Sequence, residues 1–140
     1  MYGVILTAHG TYAEGLYSGL KLITGGAENI RLVNFVEGDG FEDIDGKLQK
    51  AIDELKTYDG LLILTDLAGG TPFNRSVMLT ENLENAFVFA GMNFQMAYTA
   101  ANAEDGLDSI ESLVLEEAKN GIVSFSKAGD EADDEGGEGI

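Results

Sequence analysis

The chain has 140 residues, enough for one domain with a full hydrophobic core. It holds no cysteine and a single histidine, which excludes disulfides, thiol catalysis, thiolate metal sites and a multi-histidine zinc site. The formal charge of −17 is uneven, since residues 1–127 carry 19 acidic and 8 basic side chains while residues 128–140 carry six acids and no base. With no basic stripe, nucleic acid is excluded as a natural partner and a basic protein is favoured.

Residues 2–8, Tyr-Gly-Val-Ile-Leu-Thr-Ala, read as a buried strand that ends at the lone histidine, His9. A helix follows over 12–24, with Thr11 as N-cap, Glu14 completing a capping box, and Gly25-Gly26 as its stop. A second strand spans 30–36, and after the loop Glu37–Gly40 a second helix spans 41–57, with Ile44, Leu48, Ala51, Ile52 and Leu55 at helical spacing. The third strand, 60–65, is a continuous apolar run suited to burial on both faces, and it ends at Asp66. Gly69-Gly70 then lead to Thr71 as N-cap and Pro72 at the first position of a helix over 72–82. A strand over 86–90, helices over 93–103 and 109–119 and a fifth strand over 121–126 complete the pattern. Residues 128–140 are too polar and glycine-rich to pack and are expected to form a disordered acidic tail. No apolar run nears the roughly 20 residues that span a bilayer, and the N-terminus lacks the basic stretch of a signal peptide, so a cytoplasmic protein is expected.

Strands alternating with helices predict an α/β, doubly wound, mainly parallel sheet. A strand order of 2-1-3-4 makes the first and third strands neighbours, with the topological switch point between them. His9 and Asp66 then stand side by side at its mouth. A carboxylate that accepts a hydrogen bond from Nδ1–H fixes the imidazole tautomer and leaves the Nε2 lone pair free for nucleophilic attack. Beside them, Gly69, Gly70 and Thr71 open a helix, where free N–H groups of Gly69, Gly70, Thr71 and Phe73 make an anion cradle. Read plainly, each feature also has a structural explanation: a polar strand end, a capping aspartate, a tight strand-to-helix turn. Their coincidence at one crevice favours chemistry.

Other chemistries fail on inventory. The segment after strand 1 lacks a dinucleotide fingerprint, and neither a Walker A motif nor a nucleophile elbow occurs. Asp66 with Asp39 or Glu37 is a weak Mg²⁺ set, because acidic loops are usually just solvated. No metal and no cofactor are expected.

Thr7-Ala8-His9-Gly10 and Asp66-Leu67-Ala68-Gly69-Gly70-Thr71-Pro72-Phe73-Asn74 together resemble the two signatures of the IIA domain of the mannose/fructose/sorbose family (including the N-acetylgalactosamine type) of the sugar phosphotransferase system, over about residues 1–127. The resemblance implies a cytoplasmic phosphocarrier. Phospho-HPr would donate a phosphoryl group to Nε2 of His9, and a IIB protein would receive it for sugar import through membrane permease subunits. Asp66 would hold Nδ1–H, and Gly69, Gly70 and Thr71 would bind phosphoryl oxygens. It also implies a separate IIA polypeptide and a homodimer in which a C-terminal antiparallel strand, carrying Ile122, Val123 and Phe125, is exchanged between subunits. Two other readings compete: a phosphorylation-dependent regulatory module of the same fold, and a flavodoxin-like domain for a small anion. The sugar is not legible in this chain, because the membrane subunits select it.

Overall fold

The computed structural model describes residues 1–127; the expected acidic tail, 128–140, lies outside the described residues. The elements in chain order are β1 (Gly3–His9), α1 (Tyr12–Thr24), β2 (Ile30–Phe35), α2 (Phe41–Glu54), β3 (Leu61–Thr65), α3 (Thr71–Thr80), β4 (Ala86–Phe89), α4 (Phe94–Asn102) and α5 (Ile110–Asn120). The four strands form one sheet of order β2-β1-β3-β4, every pair parallel, as the alternation of apolar runs and helical periods predicts.

Both faces of the sheet are covered, which is why β1 and β3 are apolar almost throughout. On one face Val4, Leu6, Leu62 and Leu64 pack with Ala13 and Leu20 of α1, Met96 of α4 and Ile110 of α5. On the other, Ile5, Val33 and Ile63 pack with Ile44, Leu48 and Ile52 of α2. The register sets His9 beside Phe35 and Thr7 beside Thr65, so the ends of β1, β2 and β3 are level and the residue after β3, Asp66, emerges next to His9.

Several local expectations are revised. Thr11 is the N-cap of α1 as expected, its carbonyl accepting Gly15 N–H at 2.8 Å, but its side chain makes no capping bond, and Glu14 accepts a hydrogen bond from Asn34 Nδ2 of β2 at 3.1 Å instead of closing a capping box. The far end of α1 behaves as expected: Gly25 is left-handed and donates its N–H to Lys21. α2 stops at Glu54 rather than at residue 57. Leu55 turns into the core there, and its N–H bonds to Ile52 O at 3.2 Å. The N-cap of α3 is Gly70 and not Thr71, because the extended Gly70 offers its carbonyl to Asn74 N–H at 2.9 Å; Thr71 and Pro72 are thereby the first two helical residues.

The expected fifth strand is not paired with this sheet. Residues 122–126 follow α5 without regular structure, and Ile122, Val123 and Phe125 are 76%, 78% and 80% exposed. Their apolar alternation is strand-like, but a strand forms only where an edge supplies partners for its N–H and C=O groups, and among the described residues the sheet holds four strands, β2-β1-β3-β4, without them.

Candidate active site

Level strand ends put an imidazole, a carboxylate and a helix start at one crevice. His9 closes β1 with its side chain 46% exposed. Its Nδ1 lies 2.9 Å from Asp66 Oδ2, and its own backbone N–H donates to the same oxygen at 3.1 Å. Two donors from one residue converge on one carboxylate oxygen, so the imidazole is tied both along the chain and through the ring. Burial raises the Asp66 pKa, but the hydrogen bonds from the His9 ring and the His9 N–H, with the charge of the imidazole, outweigh it and hold the carboxyl below its ordinary value. An ionised carboxylate has no proton to give. Nδ1 therefore carries a hydrogen, and in the neutral imidazole the lone pair falls on Nε2, which makes no hydrogen bond among the described residues. The second carboxylate oxygen, Oδ1, is buried without a partner.

Two walls hold the imidazole ring. Phe35, the last residue of β2, meets it edge to face with centroids 5.7 Å apart. On the other side the start of α3 comes so close that a β-carbon on Gly70 would stand 2.9 Å from His9 Cε1. Gly70 is thus glycine because of this close approach and not for its backbone angles, which are extended (φ −76°). Its neighbour Gly69 is left-handed (φ +82°), the conformation that turns the chain from Asp66 back into α3. Asn74 closes the loop by donating Nδ2–H to Gly69 O at 3.0 Å.

All five site residues inferred from sequence, His9, Asp66, Gly69, Gly70 and Thr71, lie along this crevice. The donor inventory differs in one respect. The Gly70 N–H is already given to Leu67 O at 3.0 Å, so the free amides at the start of α3 are those of Thr71 and Phe73. No side chain caps this helix end, so those N–H groups and the positive end of the helix dipole face an incoming anion. The proposed Mg²⁺ partner Asp39 is engaged elsewhere: it accepts from Val36 N–H and from Lys47 Nζ, each at 3.0 Å, so its carboxylate is already matched by a cation.

Two residues of the site receive no role from sequence reasoning: Phe35, and Asn74, which the second signature contains. Phe35 was legible in principle, since parallel register alone aligns the ends of β1 and β2. Asn74 was not, because its role depends on the course of the loop.

Comparison with known proteins identifies the family. The model of the family described as the PTS system fructose IIA component matches residues 3–116. The mannose-specific EIIAB component of Escherichia coli is 30% identical over 125 residues; that match takes in 87% of this chain but 39% of the longer relative. The sorbose-specific EIIA component of Lacticaseibacillus casei is 33% identical over 111 residues, 79% of each chain. The crystal structure of a phosphotransferase system component EIIA from Streptococcus agalactiae superposes with a TM-score of 0.81 at 32% identity, over 91% of this chain and all of that one. The chain belongs to the mannose/fructose/sorbose family of phosphotransferase-system IIA components.

Proposed function

We propose that this chain carries a phosphoryl group on His9 Nε2, taking it from phospho-HPr and giving it to a IIB component that serves sugar import. The observation that carries this reading is the 2.9 Å contact of His9 Nδ1 with an ionised Asp66, which directs the nucleophilic lone pair out of the crevice. In the forward step the Nε2 lone pair attacks phosphorus. The phosphorus–nitrogen bond to His9 forms as the bond to the donor breaks, and the donor keeps that electron pair. The imidazole gains positive charge, which the Asp66 carboxylate offsets, while the N–H groups of Thr71 and Phe73, the Gly69 amide and the Thr71 hydroxyl receive the phosphoryl oxygens. The reverse of these motions delivers the group to the IIB component. Little covalent chemistry falls to other side chains, so the work is positioning and fixed dipoles.

The same reading makes the chain a cytoplasmic homodimer. Three exposed apolar side chains, Ile122, Val123 and Phe125, follow α5 in a segment without regular secondary structure, which supports an antiparallel strand laid on the sheet of a second copy. Among the described residues no helix is long and apolar enough to cross a membrane.

Incubation with phosphoenolpyruvate, enzyme I and HPr tests the proposal. Wild-type protein is expected to take acid-labile phosphate, His9→Ala none, and a IIB component to discharge the label. Absence of label on the wild type, or equal label on His9→Ala, refutes the carrier role. Label that a IIB component never removes would favour the regulatory module.

A further inference from the structure

The helix that presents its N-terminus to His9, α3, has a lighter apolar hold on the core than its neighbour α2. α3 fully buries Pro72, Ser76 and Thr80 and packs Leu79 half-buried against the core, whereas α2, beside it on the same face of the sheet, buries Ile44, Leu48, Ala51 and Ile52. Apolar burial stabilises in proportion to area, so α3 gains little of it. Its inner polar groups do not replace that grip: Thr80 Oγ1 donates to Ser76 O of its own helix, and Ser76 Oγ is buried without a partner. What fastens α3 sideways is Arg75. Its Nε donates to Asp45 Oδ1 at 2.9 Å and its Nη2 to Asp45 Oδ2 at 2.7 Å, and its guanidinium lies 4.8 Å over the ring of Phe41, the first residue of α2. A bidentate fork stacked on a ring fixes distance and rotation together, which a single point contact does not.

From this geometry we infer that Arg75 is a positioning residue for phosphoryl acceptance, holding the first turn of α3 against His9 through Asp45 and Phe41. The inference rests on the phosphocarrier reading. Asp45 and Arg75 each sit one turn inside their helices, so the brace ties the firmly packed α2 to α3 directly below the turn that carries the Thr71 and Phe73 amides. Arg75 does not itself serve the phosphoryl group, because its charge and its fork are committed to Asp45.

The test measures His9 phosphorylation by phospho-HPr for wild type, Arg75→Gln, Arg75→Lys, Asp45→Asn and the double variant Arg75→Gln/Asp45→Asn. Arg31→Gln, which breaks the Arg31–Glu54 pair on the other side of α2, serves as the control. Thermal melting confirms that each folds. Misplacing reacting groups by a fraction of an ångström costs about tenfold in rate. Accordingly Arg75→Gln and Asp45→Asn are each expected to lower kcat by about tenfold with KM unchanged, and the double variant to fall no further than either single one. Arg75→Lys keeps one charged contact and is expected to recover part of the loss. Arg31→Gln is expected to match wild type. A wild-type kcat for Arg75→Gln, a loss confined to KM, or an equal slowing in Arg31→Gln overturns the inference while the phosphocarrier reading stands. A wild-type protein that takes no label overturns both.

Discussion

Gly70→Ala isolates the closest approach in the site. Gly70 has φ −76°, so alanine fits the backbone, and any effect must come from the added methyl. That methyl would stand 2.9 Å from His9 Cε1 and 3.2 Å from Leu67 O, where ordinary contacts begin near 3.4 Å. The Leu67 carbonyl is main chain and already accepts the Gly70 N–H, so the imidazole is the partner that yields, by about 0.5 Å. It cannot slide freely, because Phe35 blocks one side and Nδ1 is tied to Asp66. Given about 10²-fold in rate per 1 Å of misplacement, a shift of about 0.5 Å slows phosphorylation by about tenfold. The half-exposed ring can relax outward, so the stability cost stays near 1 kcal/mol, a fall of about 3–5 °C in Tm. Rapid-quench labelling gives the rate, and imidazole nitrogen chemical shifts report the displaced ring. Gly69→Ala is the internal comparison. At φ +82° it is strained by about 1 kcal/mol, yet its methyl would meet nothing within 4 Å, so it should soften the loop without moving His9. If both variants slow labelling equally, or if Gly70→Ala labels at the wild-type rate with unshifted nitrogen signals, then close contact with the imidazole is not what glycine serves at this position.

The remaining predictions concern charge. Because Asp66 Oδ2 accepts two N–H groups, Asp66→Asn should place its amide oxygen there, keep the tautomer and lose only the negative charge, whereas Asp66→Ala loses both. The difference between a charged and a neutral hydrogen bond, about 1.4 kcal/mol, slows Asp66→Asn by about tenfold, and Asp66→Ala should be about 10²-fold slow or worse; an Asn variant no faster than the Ala variant, in the same labelling assay, contradicts the account. Acid stability follows from carboxyls held low: hydrogen bonds from Arg75 and its charge lower Asp45 against the opposing effect of burial, and Asp66 is lowered as described. A depressed folded pKa contributes stability that is complete above the unfolded value, about 3.9, and is lost as pH falls through the folded value, so Tm should be flat above about pH 5 and decline below about pH 4. Asp45→Asn should shallow that decline in melting curves recorded from pH 6 to 2.5; an unchanged slope would remove Asp45 from the explanation.

The legible parts of this protein are those set by repeating patterns. Apolar runs alternating with helical periods admit few topologies, and parallel crossovers then bring the ends of β1 and β3 together, so the pairing of His9 with Asp66 follows from knowing only that each residue ends a strand. What failed was local and depended on direction. Thr11 and Thr71 both have the residue type of an N-cap, and Thr11 takes that position, accepting Gly15 N–H at 2.8 Å, but residue type does not reveal which neighbour of Thr71 turns first into helical angles. At Gly70 the extended backbone and the bond from Asn74 decide it. Glu14 has the spacing of a capping box, yet an amide on an adjacent strand competes for it. Residues 122–126 have a strand's composition but no regular structure in a single copy, and pairing is a property of a partner surface that composition does not record.

The brace between Arg75 and Asp45 marks a different kind of limit. The two residues are thirty positions apart, on helices whose rotation about their own axes is set by what each buries. For α2 that rotation can be read from its apolar stripe. α3 has no such stripe: its fully buried positions are proline, serine and threonine, with Leu79 alone adding a partly buried aliphatic side chain, so hydropathy says little about which side faces the sheet and which faces α2. The same lack of pattern that hides Arg75 in the sequence leaves α3 with little apolar burial to hold it. A helix start that must stand within contact of an imidazole, on a helix so lightly packed, requires a lateral tie. The least predictable helix in the fold is therefore the one whose placement matters most to His9.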